Sequence, residues 1–309
     1  MRRLHFGLLG AGLPVLALSL FLAGCGGGDN KSSSDKPSGD STTTTDTGKS
    51  TKGELKAIEP GKGVIKGKVT VKGTVDESVI KRMNTELMEL INKNTNKDFC
   101  LTGSPAEKEQ QGYRIDEKGN VANVFVWIAP ADKNTYFKID KPEDFAKEVE
   151  IDQPHCAFIP HVAVLFPEYH DPANPTKMKK TDQKVVVKNT APQAHNTNYK
   201  TASGKIPGDN QQLKPGESLQ LKSIIAVNEP IIISCQIHGW MDAYLRAFDH
   251  PYATTTKPDG TFEIINVPTG VKLKVFAWHE KAGDLAGKTG TEIEVKDEPL
   301  TKDFQLEVK

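Results

Sequence analysis

From Lys184 to the C-terminus the chain is cut into short apolar runs separated by glycine and proline, and this pattern limits the fold more than any other feature. The runs are Lys184–Lys188, Ser218–Ile225, Pro230–Ser234, Ala243–Phe248, Thr261–Ile265, Lys272–Trp278, Glu292–Val295 and Phe304–Val308. Turn residues stand between them, notably Lys214-Pro215-Gly216-Glu217, Lys257-Pro258-Asp259-Gly260 and Pro268-Thr269-Gly270. Short strands at this spacing argue for a β-sandwich. Upstream, Gly63–Gly73 alternates apolar and polar residues and reads as a strand, and Val121–Ile128 reads as a largely buried one. Ala157–Phe166 reads as a strand that Pro160 confines to an edge or a bulge. The prolines of 167–181 predict a loop. One segment differs: Val79, Ile80, Met83, Leu87, Leu90 and Ile91 recur at helical spacing, predicting an amphipathic helix over 76–92 with Asp76 as its N-cap.

The N-terminus reads as a targeting segment. Arg2 and Arg3 precede an apolar stretch, which is too short and too interrupted by glycine and proline to span a membrane comfortably. Leu22-Ala23-Gly24-Cys25 closes it and resembles a bacterial lipobox, in which Cys25 receives lipid and becomes the mature N-terminus. The rival is an ordinary secretory signal with a chance cysteine. The next residue is Gly26 rather than aspartate, so the lipobox resemblance implies an outer-membrane or surface location, not inner-membrane retention. Gly, Ser, Thr, Asp and Lys dominate from there to about residue 58, a composition that buries no core and predicts a tether. Formal charge is balanced, and no basic cluster with interleaved aromatics suggests nucleic-acid binding.

The chemistry-bearing residues gather in Cys235-Gln236-Ile237-His238-Gly239-Trp240-Met241, directly after the apolar run Ile231–Ile233. Ala194-His195-Asn196 lies about forty residues upstream, after the run Val185–Val187. One thiolate, two imidazoles and a thioether are the ligand set of a blue-copper site. A strand-end histidine facing a tight Cys-His-Met loop can place three strong ligands in a plane and one weak ligand on the axis. A lone Cys-x-x-His would be weak: it could be half a zinc site, but no second Cys/His pair supplies the other ligands.

The extended pattern resembles the cupredoxin family over roughly 151–250, and its loop is most similar to the amicyanin type, also Cys-x-x-His-x-x-Met. The resemblance implies His195, Cys235 and His238 as equatorial ligands to one mononuclear type 1 copper and Met241 as the long axial ligand. It implies that Asn196 bonds across to the loop carrying Cys235, and that His238 lies near the surface as the exit for the electron. Many small cupredoxins carry proline before the loop histidine, where this chain has Ile237. Its N–H could bond the Cys235 sulfur, which predicts a higher potential than in a proline-bearing loop. Trp240, inside the loop, either packs it or forms part of a docking surface. His155, His161 and His170 surround Cys156, but strand geometry sets His161 and Cys156 on opposite faces, and a second metal site is the weaker reading. His250 and His279 read as packing or surface residues.

Four cysteines complete the count. If Cys25 carries lipid and Cys235 holds metal, Cys100 and Cys156 remain as a disulfide pair in an oxidising compartment. The alternative, Cys235 bonded to one of them, would remove the metal site.

Thr261-Phe262-Glu263-Ile264 after Lys257-Pro258-Asp259-Gly260, then Pro268-Thr269-Gly270 and a further strand, is similar to carboxypeptidase regulatory-like (prealbumin-like) modules. These are usually non-catalytic. The segment is too short for a complete sandwich, and the 63–73 strand is a candidate to complete it.

The sequence thus predicts a mainly β protein: a cupredoxin-like Greek-key β-sandwich, an N-terminal extension with one amphipathic helix, and a C-terminal β-sandwich-like module. The expected organisation is a signal peptide at 1–24, a lipidated linker at 25–58, the β-rich extension at 59–150, the copper domain at 151–250 and the regulatory-like module at 251–309. The expected function is single-electron carriage in the bacterial cell envelope, anchored to a membrane by lipid and partnered by another redox protein, with the C-terminal module open to carbohydrate or protein contact. The alternatives are a structural or binding lipoprotein and a copper carrier. No catalytic triad, phosphate loop or carboxylate pair points to an enzyme.

Overall fold

A computed structural model describes residues 54–308. Strands make up 41 % and helices 11 % of the structure, so the protein is mainly β, built as open sheets in a sandwich-like arrangement. The signal segment, Cys25 and most of the expected linker lie outside the described residues. The linker reading ends too late, however. Lys56–Ile58 is a strand paired in parallel with Thr135–Phe137, and Ile58 is buried in the core.

Two apolar cores organise the described chain. Around the first, a five-stranded sheet runs in the order Asp209–Leu213, His195–Thr201, Ile231–Ser234, Asp242–Ala247, Val162–Leu165, antiparallel except for its last pair. A three-stranded sheet, Ser218–Gln220, Lys184–Lys188, Glu148–Asp152, supplies the opposite wall. Ile231, Ile233, Ala243 and Leu245 from one sheet and Ile151, Val185 and Val187 from the other enter the same core. The period-two pattern does this directly, since alternate residues of a strand share one face.

The second core joins the two ends of the chain. Gly63–Val71 pairs antiparallel with Thr261–Val267 and parallel with Leu300–Thr301 and Phe304–Leu306. Phe125–Pro130 pairs antiparallel with both Lys272–His279 and Ala253–Thr255. Segments 59–150 and 251–309 therefore share one core, including Ile65, Val126, Phe262 and Val275, instead of forming two. The 63–73 run completes the C-terminal sheet. Its Gly-x-x-x-Gly spacing has a steric cause: a Cβ on Gly67 would stand 1.9 Å from the Lys302 carbonyl oxygen, and one on Gly63 2.6 Å from the Val295 side chain.

Helix α1, Glu77–Lys93, begins at Asp76, whose carboxylate accepts from the Ser78 N–H at 3.0 Å. Its apolar stripe spans both cores: Val79, Ile80 and Met83 pack on the second, Leu87, Met88 and Ile91 on the first. Leu90 departs from the predicted stripe and is 50 % exposed. A short helix α2, Lys97–Cys100, follows.

Some expected elements differ. Segment 167–181 is a hairpin, Glu168–Asp171 against Asn174–Lys180. Its second strand is almost wholly exposed, so it carries no apolar alternation to announce it. The Ala157–Phe166 run is a strand only over Val162–Leu165, at the sheet edge. The Ser218–Ile225 run forms a strand only over Ser218–Gln220. His195 does not end the Val185–Val187 strand. It opens a strand of its own in the other sheet.

His250 and His279 are packing residues, buried against Phe137 and Tyr113 respectively. Burial pushes the pKa of each down to about 4.

Two outcomes follow from this packing. Gly67→Ala should lower stability by about 1–3 kcal/mol, read as a lower melting temperature, because the Lys302 backbone must move to admit a methyl group. Acid should also destabilise the fold. Below the ordinary histidine range the unfolded chain binds protons that His250 and His279 refuse while folded, so stability is present above pH 6.5 and falls as pH drops toward 4. Melting temperatures of the His279→Gln variant should depend less steeply on pH between those limits than those of the parent.

Candidate metal centre

The strand Ile231–Ser234 ends where its loop must turn back to the strand Asp242–Ala247. Two backbone bonds close that loop. Met241 N–H donates to the His238 carbonyl at 2.8 Å, and Cys235 N–H donates to the Met241 carbonyl at 3.1 Å. The Cys-x-x-His-x-x-Met spacing thus fixes both ends and the middle of one tight turn. His195 arrives from the adjacent strand, where Asn198 stands opposite Ser234.

Three donor atoms converge. The Nδ1 atoms of His195 and His238 are 3.1 Å apart, and Cys235 Sγ lies 4.0 Å from the first and 3.9 Å from the second. A point equidistant from three atoms with these separations lies about 2.1 Å from each, within bonding range of a metal for imidazole nitrogen and thiolate. His195, His238, Cys235 and Met241 are each at most 2 % exposed. Burial, then the neighbouring His238, pushes the His195 pKa down to about 4, while burial lowers that of His238. Both rings are therefore neutral at physiological pH, the state that can ligate a metal. His195 Nε2 is buried and has no hydrogen-bond partner among the described residues, while the backbone of His155 acts on the ring to favour its protonated form. A ligating histidine ordinarily gives its second N–H to a carboxylate, a backbone carbonyl or water.

Asn196 fastens the loop to the strand. Its Oδ1 accepts from the N–H of Gln236 at 2.6 Å and of Ile237 at 3.2 Å, and lies 3.3 Å from Cys235 Sγ. Its Nδ2 donates to Asn210 Oδ1 at 2.7 Å, and Asn210 Nδ2 donates to Gln236 Oε1 at 2.9 Å. The Ile237 N–H was expected to face the sulfur. It is taken instead by Asn196, which removes the stated basis for a raised potential.

The exposure expected for His238 is also overturned. Its ring is fully buried beneath the N-terminal extension. Asn96 Nδ2 lies 3.3 Å from His238 Nε2, and Asn94 Nδ2 donates to the Ile237 carbonyl at 3.4 Å. Trp240 packs edge-on against the same ring, with centroids 5.3 Å apart, and its indole N–H donates to the Cys156 carbonyl at 3.1 Å. Cys100 and Cys156 form a disulfide and, among the described residues, Cys235 is the free cysteine and is buried, so the rival pairing is not formed.

The remaining histidines among the described residues face carboxylates: His155 with Glu107 at 2.8 Å, His161 with Glu280 at 2.6 Å and His170 with Asp249 at 3.3 Å. Asn96, Asn94 and the His155 backbone escaped sequence reading because no motif marks a residue whose only tie to the site is tertiary. No family model matches the sequence, and no curated protein matches it either.

Asn196→Ala should free the loop while leaving its residues in place. Losing an acceptor shared by two part-buried backbone N–H groups should cost about 1–2 kcal/mol. Cys235 should then react with a thiol reagent several-fold faster than in the parent; an unchanged rate together with unchanged stability would refute the clamp.

Proposed function

We propose that this chain is a membrane-anchored type 1 blue-copper protein that carries single electrons in the bacterial cell envelope. The observation that carries the reading is the His195–Cys235–His238 triangle, whose equidistant point matches metal–ligand lengths. Two imidazoles and one thiolate in a plane, with Met241 on the same loop as the weak fourth ligand, are the blue-copper set rather than a closed zinc tetrad. Copper so held would gain or lose one electron, and the chain's own part is to keep the ligands still while it does. Asn196 and the two loop-closing backbone bonds do that without help from the metal.

The surrounding sheets support a cupredoxin-like Greek-key sandwich, and the second core a regulatory-like module that borrows strands from the N-terminal extension. That module remains available for protein or carbohydrate contact. Lipid at Cys25 would hold the protein at the outer membrane, facing the periplasm or the cell surface. The redox partner would dock beside the loop, where Ile237 is 40 % exposed and Leu90 borders the same recess as Trp240. The reading assigns no catalysis to this chain.

Visible absorption after adding Cu(II) to the purified chain tests this. An intense thiolate-to-copper band that disappears in Cys235→Ser is the expected result. A colourless chain would defeat the reading in favour of a structural or binding lipoprotein. A copper complex without reversible one-electron chemistry would make it a carrier.

A further inference from the structure

His238 belongs to two donor groups. One is the His195–Cys235–His238 triangle. In the other, its ring and the sulfurs of Cys100 and Cys156 all lie within 4.8 Å of one another. The disulfide and the inner site therefore share one imidazole. All three members of the second group are buried.

The covering segment is held down unequally. Non-covalently, Ile91, Phe99 and Leu101 pack it on the first core, Glu107 pairs with His155 at 2.8 Å, Asn94 and Asn96 add two long hydrogen bonds, and Trp240 bonds the Cys156 carbonyl. Among the described residues the disulfide is the only covalent cross-link, joining the end of α2 to the segment 155–158. Between α1 and α2 the turn is open to solvent at Thr95 and Lys97. Reduction would remove the covalent clamp and leave two buried thiols beside the histidine that the inner site also uses.

We propose that the reduced Cys100–Cys156 pair, with His238, forms a second Cu(I) site that serves as a loading station and closes when the disulfide forms. The inference rests on the copper reading of the inner site. A dithiol reductant attacks one sulfur, passes through a mixed disulfide and leaves as its own disulfide. Two electrons and two protons are transferred, giving the Cys100 and Cys156 thiols. Cu(I), a soft cation, takes both sulfurs as thiolates and the His238 ring; the two thiol protons go to solvent, and the ring N–H proton follows them when His238 bridges both sites. Exchange with an oxidised dithiol re-forms the disulfide, removes both sulfur ligands and seals the segment over the shared ring.

The test is an anaerobic titration of the full chain with Cu(I) against a competing chromophoric chelator. Oxidised parent should bind one equivalent and reduced parent two. Cys235→Ser, which disables the inner site but keeps the pair, should bind none when oxidised and one when reduced. Equal stoichiometry in oxidised and reduced Cys235→Ser overturns the proposal, as does a reduced chain that loses its strand signal in circular dichroism and gains no site. Oxidised parent binding no copper defeats the inner-site reading instead, and the increment on reduction still decides this one.

Discussion

A single oxygen, Asn196 Oδ1, sets the geometry on which the candidate site depends. It lies on the residue after one histidine and accepts from two successive backbone N–H groups of the loop that carries the thiol and the second histidine. Strand and loop are held by an acceptor with no freedom to follow a moving ion. The carboxamide is itself fixed by Asn210, which also grips Gln236, so the constraint closes into a ring of side chains. Buried amides satisfied on both ends lose little by staying put and much by leaving.

The two cores depend on each other through a few elements. α1 lays one apolar stripe across both. The strand that follows the candidate loop meets the sheet of the second core through its opposite face. Arg246 stacks over Trp127, with its guanidinium carbon 4.5 Å from the ring centroid, and Tyr244 lies against Trp278. Arg246 is buried and its Nε has no hydrogen-bond partner, so aromatic faces carry much of what a carboxylate would ordinarily do. The strand that follows the candidate loop is also a plank in the wall between the cores.

How much of this could be read from the sequence follows from range. The loop donors were legible because their spacing is local, and so were α1 and its Asp76 cap. Gly63–Val71 and Thr261–Ile264 showed alternation, which a bulge then breaks before Val267. The strands His195–Thr201 and Asp209–Leu213 did not, because the first buries Asn and Thr in place of aliphatic residues and the second is nearly all exposed. The hairpin at 168–180 was hidden for the second reason. The roof over His238 was illegible for a different cause. Asn94, Asn96 and Cys100 sit more than a hundred positions upstream, and only tertiary packing brings them there.

The shared ends of the chain have a consequence for modularity. Segment 151–250 holds every donor of the candidate triangle, yet cut out alone it would lose the helix that floors its core, the disulfide partner of Cys156 and the roof of His238. The segment that follows would lose the strand that closes its sheet. What reads along the sequence as beads on a string is in space closer to a knotted belt. Its middle cannot be transplanted as a cassette, and shuffling of this architecture between proteins must move both flanks together.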